Sequence, residues 1–159
     1  MRATRLNHVS VSASDLEMSA RFYEELFGME RIPTARFGTP VLWLRCGEQQ
    51  LHLFLRSADA PRFHHLALDV DDFEAVYLKA KELGVLDYET HGAAIREHPT
   101  GWVQMYIRDP GGNLLEVDWP DAAGIDRSVV TEIKSLNEVA PQVDDAAEAT
   151  LYHEAGVPS

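Results

Sequence analysis

The sequence predicts an α+β fold of two βαβββ modules whose curved mixed sheets wrap a central cavity, with a C-terminal extension attached. Three observations lead there: a strand–helix unit recurring at a constant offset of 57 residues (65 − 8), a three-strand pattern after each helix, and a tight hairpin closing the second copy. An internal repeat decides the architecture before any single residue does. Module one covers about 5–57 and module two about 62–120, giving one domain over 1–120. Residues 121–159 form an acidic, partly helical extension.

The first strand is Leu6 to Ser12, where alternation puts Leu6, His8, Ser10 and Ser12 on one face and Asn7, Val9 and Val11 on the other. Ser14 followed by Glu17 reads as a capping box, and Leu16, Ala20, Tyr23 and Phe27 keep helical spacing until Gly28. Three strand-like runs follow, around Glu30–Phe37, Val41–Arg45 and Leu51–Leu55, separated by Pro33, Gly38-Thr39-Pro40 and Gly47-Glu48. In the second copy His65 falls on His8, Leu66 on Val9 and Leu68 on Val11. Asp71-Asp72-Phe73-Glu74 falls on Ser14-Asp15-Leu16-Glu17, and the helix continues through Val76, Tyr77 and Ala80 to Gly84. Val85–Tyr88 reads as a strand, then a loop passes Gly92 and Pro99, then come the hairpin strands Trp102–Ile107 and Leu114–Trp119.

The hairpin turns on Asp109-Pro110-Gly111-Gly112-Asn113, where proline presets φ and the glycines admit positive φ. If Pro110–Gly112 is the loop, opposed residues have numbers summing to 222, so Tyr106 faces Glu116 on one side of the sheet. In the first module a Gly47-Glu48 turn sets Trp43 opposite His52, and alternation turns His52 and Phe54 away from Leu51, Leu53 and Leu55.

Composition narrows the function classes. With 159 residues, 45% hydrophobic and 25% charged, the chain suits one globular domain. No apolar run approaches a membrane span, and no apolar signal core follows Met1, so a cytoplasmic protein is expected. The formal charge of −12 argues against nucleic acid or an anionic membrane as partner. The single Cys46 excludes a disulfide framework or a cysteine metal site within one chain. In the tail, Ile125 to Val139 carries a partly helical apolar pattern expected to pack on the body or on a second copy, and the last fifteen or so residues are expected to be loose.

His8, His65 and Glu116 occupy central strands of the repeat. Two imidazoles and one carboxylate form a facial set that binds a divalent metal and leaves positions open for ligands. Fe(II) is the first expectation, and Mn(II), Ni(II) or Zn(II) suit the same donors. Trp43, Phe54, Trp102 and Met105 are candidate cavity walls. His64 points to the face opposite His65 and reads as a core or hydrogen-bonded residue, while His91 and His153 receive no role.

This double βαβββ pattern with His8, His65 and Glu116 resembles the vicinal-oxygen-chelate superfamily, which includes glyoxalase I, methylmalonyl-CoA epimerase, fosfomycin-inactivating thiol transferases, bleomycin-binding proteins and type I extradiol dioxygenases. The resemblance covers residues 6–119. The stretch from His98 to Glu116 is similar to the extradiol signature: His98, six residues, Met105-Tyr106, Ile107-Arg108, Asp109-Pro110-Gly111-Gly112, three residues, Glu116. Arg96 departs from it, where a small or β-branched residue is usual.

The resemblance implies an Fe(II) ring-cleaving dioxygenase taking a small catecholic aromatic and O2, and the single pair of modules makes a homodimer the expectation. His8, His65 and Glu116 would bind iron, His52 would be the general acid/base, and His98 and Tyr106 would donate to the catechol oxygens. Those dioxygenases usually have two pairs of modules, whereas this chain has one, so its pocket edge is expected from its tail or a second copy. The alternatives within the superfamily are a glyoxalase-like isomerase, an epimerase or a thiol transferase, with His52 as a possible fourth ligand. A non-catalytic binding protein is a third reading, and the retained donor set speaks against it.

Overall fold

The computed structural model describes residues 5–56 and 60–152. The architecture is α+β with two mixed sheets. The first module runs β1 (His8–Ala13), α1 (Leu16–Phe27), β2 (Glu30–Ile32), β3 (Val41–Cys46) and β4 (Gln49–Leu55). The second runs β5 (His65–Asp69), α2 (Phe73–Leu83), β6 (Ile95–Glu97), β7 (Val103–Arg108) and β8 (Leu114–Trp119), and the tail adds β9 (Ile133–Ser135). Sheet order is β1-β4-β3-β2 in one and β5-β8-β7-β6-β9 in the other. Two compact units form, one of residues up to Leu66 together with Arg108–Leu115, the other of Ala67–Ile107 and Glu116 onward.

Each helix is started by an aspartate and stopped by a glycine. Asp15 accepts from the Met18 amide at 2.8 Å, and Asp72, 57 residues on, accepts from the Ala75 amide at 2.9 Å. The cap is therefore Asp15 and not a Ser14–Glu17 box, because an aspartate oxygen satisfies an orphan N–H of the first turn directly. Gly28 and Gly84 end the helices in the left-handed region at φ 61° and 67°.

In the first unit α1 lies on β3 and β4 and buries Ala20, Phe22, Tyr23 and Leu26, while Leu44, Leu51 and Leu53 are buried on those strands. Each buried leucine or phenylalanine among them contributes roughly 1.5–3 kcal/mol by leaving water. The tip of the β7–β8 hairpin belongs to this unit. Its buried Asp109 carboxylate accepts from Tyr23 Oη (2.8 Å), the amides of Gly111 (2.9 Å) and Asn113 (2.7 Å), and Asn113 Nδ2 (2.8 Å). Asn113 Nδ2 also donates to the Ser12 carbonyl at 2.8 Å. The Asp109 amide donates to the Asn113 carbonyl at 3.1 Å, the pairing expected of a Pro110–Gly112 loop (109 + 113 = 222). Trp43 is opposite His52, also as expected.

The second unit departs from expectation in three places. Val85–Tyr88 is not a strand. Leu86 makes an isolated bridge to Ile107, and the Asp87 carboxylate accepts from the amides of Glu89 and Thr90 and from the Thr90 hydroxyl, which turns the chain. The strand forms later, at β6, inside the stretch expected to be a loop, because Ile95 buries fully when paired with Met105. The helical part of the tail is 3-10 and not α among the described residues. Residues 133–135 run parallel to β6 and 3-10 turns cover Ala122–Gly124, Leu136–Glu138 and Asp144–Glu148. A short edge strand available for pairing outweighs a weak helical pattern.

Four other expectations change. The run from Glu30 keeps strand geometry only to Ile32. Met105 is in the fully buried core with Val103 and Ile107 and is no cavity wall, since it alternates with Tyr106. His64 precedes β5 and is exposed. The tail is held as far as Tyr152, and His153 lies outside the described residues.

Glu132 anchors the start of the tail. Its carboxylate accepts from Tyr77 Oη (2.8 Å), Lys81 Nζ (2.9 Å) and Tyr88 Oη. Despite partial burial these bonds bring its pKa down from 4.5 to about 2. A carboxyl depressed on folding stabilises above its unfolded pKa and loses that contribution as pH falls through its folded one. Glu132→Gln is therefore expected to be less stable than the parent at pH 7, with the gap narrowing from about pH 4.5 down towards pH 2. Denaturant midpoints measured across that range check it, and a gap independent of pH would contradict it.

Candidate functional site

In the first unit alternation gathers His8, Ser10, Ser12, Trp43, His52 and Phe54 on the face opposite α1. The His52 ring is stacked between Trp43 (centroids 4.3 Å, 7°) and His8 (4.3 Å, 14°), and Nε2–H donates to Gln50 Oε1 at 2.9 Å. Burial, and secondarily the neighbouring His8, lower its pKa. His8 is exposed and donates through Nδ1–H to Asn7 Oδ1 at 3.0 Å. His65 begins β5, is exposed, and donates through Nδ1–H to the Phe63 carbonyl at 3.0 Å. Beside it is a cavity of about 220 Å³ lined by Ser10, Ser12, His64, His65 and Asn113 among others.

In the second unit the corresponding face is polar and buried. Tyr106 Oη donates to Gln104 Oε1 at 3.2 Å and faces Glu116; its ring lies 4.3 Å from His91. Burial first, then the charge and hydrogen bonding of Glu116, push its pKa up, so the phenol stays protonated at neutral pH. Glu116 is 5% exposed and Asp118 6%. The Asp118 carboxyl is pushed up by burial, then by the Glu116 charge and hydrogen bond, then by Asp69, while Gln104 opposes the shift. Asp118 and Asp69 were not singled out from sequence, although alternation from Glu116 and from His65 places them on the same faces.

His98 is 1% exposed and stacks on Trp102 (4.5 Å, 3°). Its Nε2–H donates to the Ala146 carbonyl at 2.8 Å, and its Nδ1 meets the Thr100 hydroxyl at 2.8 Å and the Thr100 amide at 3.2 Å. Trp102 Nε1–H donates to the Ala149 carbonyl at 2.9 Å, so this candidate wall is covered by the tail. Arg96, the departure from the signature, is buried and donates to the carbonyls of Ser135 and His91 at 3.3 Å each.

Two imidazoles and a carboxylate fit a divalent ion in kind. Among the described residues, however, no group of three or more His, Cys, Asp or Glu side chains is placed to hold one. The structure brings His8 to His52 within the first unit and Tyr106 to Glu116 within the second. No helix among the described residues is long and apolar enough to cross a membrane.

The chain belongs to the Glyoxalase/Bleomycin resistance protein/Dioxygenase superfamily, whose model matches residues 5–117. It is 30% identical to mouse (Mus musculus) mitochondrial methylmalonyl-CoA epimerase over 131 residues, covering 72% of each chain. It is also 30% identical to the metallothiol transferase FosB of Lysinibacillus sphaericus (strain C3-41) over 128 residues, covering 73% of this chain and 82% of that one. Among solved structures, lactoylglutathione lyase from Agrobacterium tumefaciens superposes with a TM-score of 0.59 at 22% identity, covering 79% of this chain and all of that one, a likeness of fold alone.

These relatives overturn the ring-cleaving dioxygenase expectation and, with it, the support for an aromatic substrate and O2. They are an epimerase and a thiol transferase. The physical reason is visible at His98: both of its nitrogens are engaged, one by the tail, and the phenol of Tyr106 is turned to Gln104 and Glu116. The spacing from His98 to Glu116 describes a hairpin and its neighbouring loop and does not specify a reaction.

Proposed function

We propose that this chain is a metal-dependent epimerase that removes and returns a proton at a carbon flanked by a thioester and a carboxylate, as in methylmalonyl-CoA. The observation that carries this reading is the similarity to an epimerase over nearly three quarters of the chain, and the presence of His8, His65 and Glu116 in the sequence supports it. His8, His65 and Glu116 would hold the metal, with Mn(II), Zn(II), Ni(II) or Fe(II) as candidates. When bound, a divalent cation acidifies the carbon by polarising the adjacent carbonyl oxygen.

The chain's own groups supply the rest. Tyr106 donates a hydrogen bond beside Glu116 and fixes the orientation of that carboxylate. His52, held between Trp43 and His8, is the proposed proton carrier, since its stacked ring keeps one orientation. His98 receives no role in this reaction. A homodimer belongs to the same proposal, and light scattering would report twice the 17.8 kDa of one chain.

Similarity to the metallothiol transferase favours one second reading, addition of a thiol to an electrophilic carbon. Two assays on protein loaded with Mn(II) or Zn(II) separate them. The epimerase reading expects deuterium from D2O at the carbon alpha to both carbonyls of methylmalonyl-CoA, and His52→Gln is expected to slow it ~100-fold or more, in the range of a lost general acid/base. No exchange, with cysteine consumed by an epoxide substrate, would replace the epimerase reading with the second.

A further inference from the structure

The second unit's open sheet face is occupied by the chain's own C-terminal segment. Ala146 and Ala149 offer main-chain carbonyls to His98 Nε2–H (2.8 Å), Trp102 Nε1–H (2.9 Å) and the Thr100 hydroxyl (3.3 Å), all at the β6–β7 end. Three residues later the phenol of Tyr152 lies beside Asp69 on β5, with Asp118 and Glu116 also near. In the order β5-β8-β7-β6-β9, two strand spacings separate β7 from β5, about 10 Å. Three extended residues span about the same distance. The segment therefore crosses the strands that carry Tyr106, Glu116 and Asp118.

The attachment is lightly held. Val143 and Leu151, at either end, are 60% and 42% exposed, so little apolar surface leaves water. Asp118 Oδ1 is buried without a hydrogen-bond partner among the described residues. An unsatisfied buried oxygen is unfavourable, and that cost would be relieved when the segment lifts and the face meets water or a ligand.

We propose that residues 144–152 are a self-docked strap over the face that carries Glu116, so that the strap and a ligand of that face exclude one another. The identity of the ligand rests on the function proposed above, whereas the strap does not. Its groove takes main-chain carbonyls through ring N–H donors, which is also how it would take the amide carbonyls of a long acyl-thioester arm.

The test uses the chain shortened after Val143 and a fluorescent peptide of residues 144–152. The peptide is expected to saturate the shortened chain below about 1 mM, the effective concentration of a short tether. It should bind the full chain at least 10-fold more weakly and be displaced by methylmalonyl-CoA. Shortening should lower KM for methylmalonyl-CoA at least 5-fold with kcat within 2-fold. A shortened chain that melts cooperatively yet binds no peptide overturns the strap. So does a bound peptide that methylmalonyl-CoA cannot displace while being turned over. If neither chain turns over methylmalonyl-CoA, the functional reading has failed, and Mn(II) alone decides the strap: weaker Mn(II) binding with peptide present supports it, and unchanged binding overturns it. If the shortened chain does not fold, amide exchange in the full chain decides, with faster exchange of 144–152 on adding Mn(II) expected and unchanged or slower exchange contrary.

Discussion

Glu116→Gln is expected to abolish stabilisation by divalent metal while leaving the metal-free fold as stable as the parent, or more so. Glutamine keeps the shape of the side chain and can still hydrogen-bond Tyr106, and removing the charge relieves its repulsion with Asp118, 6% exposed on the same strand face. As a ligand, however, a neutral amide is much poorer, so affinity for Mn(II) should fall by ~100-fold or more, beyond the range seen for groups that merely support ligands. At a metal concentration 100 times the parent's Kd, linkage gives the parent about 2.7 kcal/mol of added stability, and the variant should show less than half of that. Melts with and without Mn(II) measure it. Equal stabilisation of parent and variant would remove Glu116 from the proposed ligand set.

Asp109→Ala should be the most damaging single change in the first unit. Four donors converge on this buried carboxylate, from Tyr23, Gly111 and twice from Asn113. Removing it leaves them unsatisfied, and breaking a buried charged hydrogen-bond network typically costs about 3–5 kcal/mol. Tyr23→Phe removes one of the four and should cost roughly 1–2 kcal/mol. Gly111→Ala acts by a different route, since its Cβ would sit 2.6 Å from the Ser12 carbonyl oxygen, backbone that cannot swing away. Overpacking of this kind costs about 1–3 kcal/mol. Urea midpoints order the three, and an Asp109→Ala loss no larger than that of Tyr23→Phe would mean that the hairpin tip is held by something else.

Much of the fold was legible because repeats and alternation are local properties. The offset of 57 that pairs His65 with His8 also pairs the helix caps Asp72 and Asp15, although Ser14 rather than Asp15 looked like the cap. The hairpin register was readable from one turn, and it correctly set Tyr106 against Glu116. Alternation likewise brought His52 to Trp43. The missed strand at β6 has no comparable local mark: Ile95 to Glu97 is three residues long and becomes a strand only because β7 on one side and β9 on the other supply hydrogen-bond partners.

Chemistry was less legible than architecture. The residues from His98 to Glu116 fit a reaction-specific spacing, but spacing counts residues and cannot see what occupies a side chain. His98 is spent on Thr100 and Ala146, and the partner that decides this lies 48 residues away. Asp118 went unnoticed because a carboxylate draws attention only when burial and neighbours make its ionisation costly, and Asp69 because only folding brings the Tyr152 phenol beside it.

The two-module α+β plan, the helix boundaries to within a turn, the shared face of His8 and His52 and the membership of a superfamily were all readable in the sequence. These follow from periods of 3.6 and 2 residues and from a repeat, all readable over short windows. Only the tertiary structure decided that the tail adds a strand to β6 and crosses the face bearing Glu116. That placement depends on unpaired strand edges, buried ring donors and loop closure over tens of residues, where no local pattern has authority.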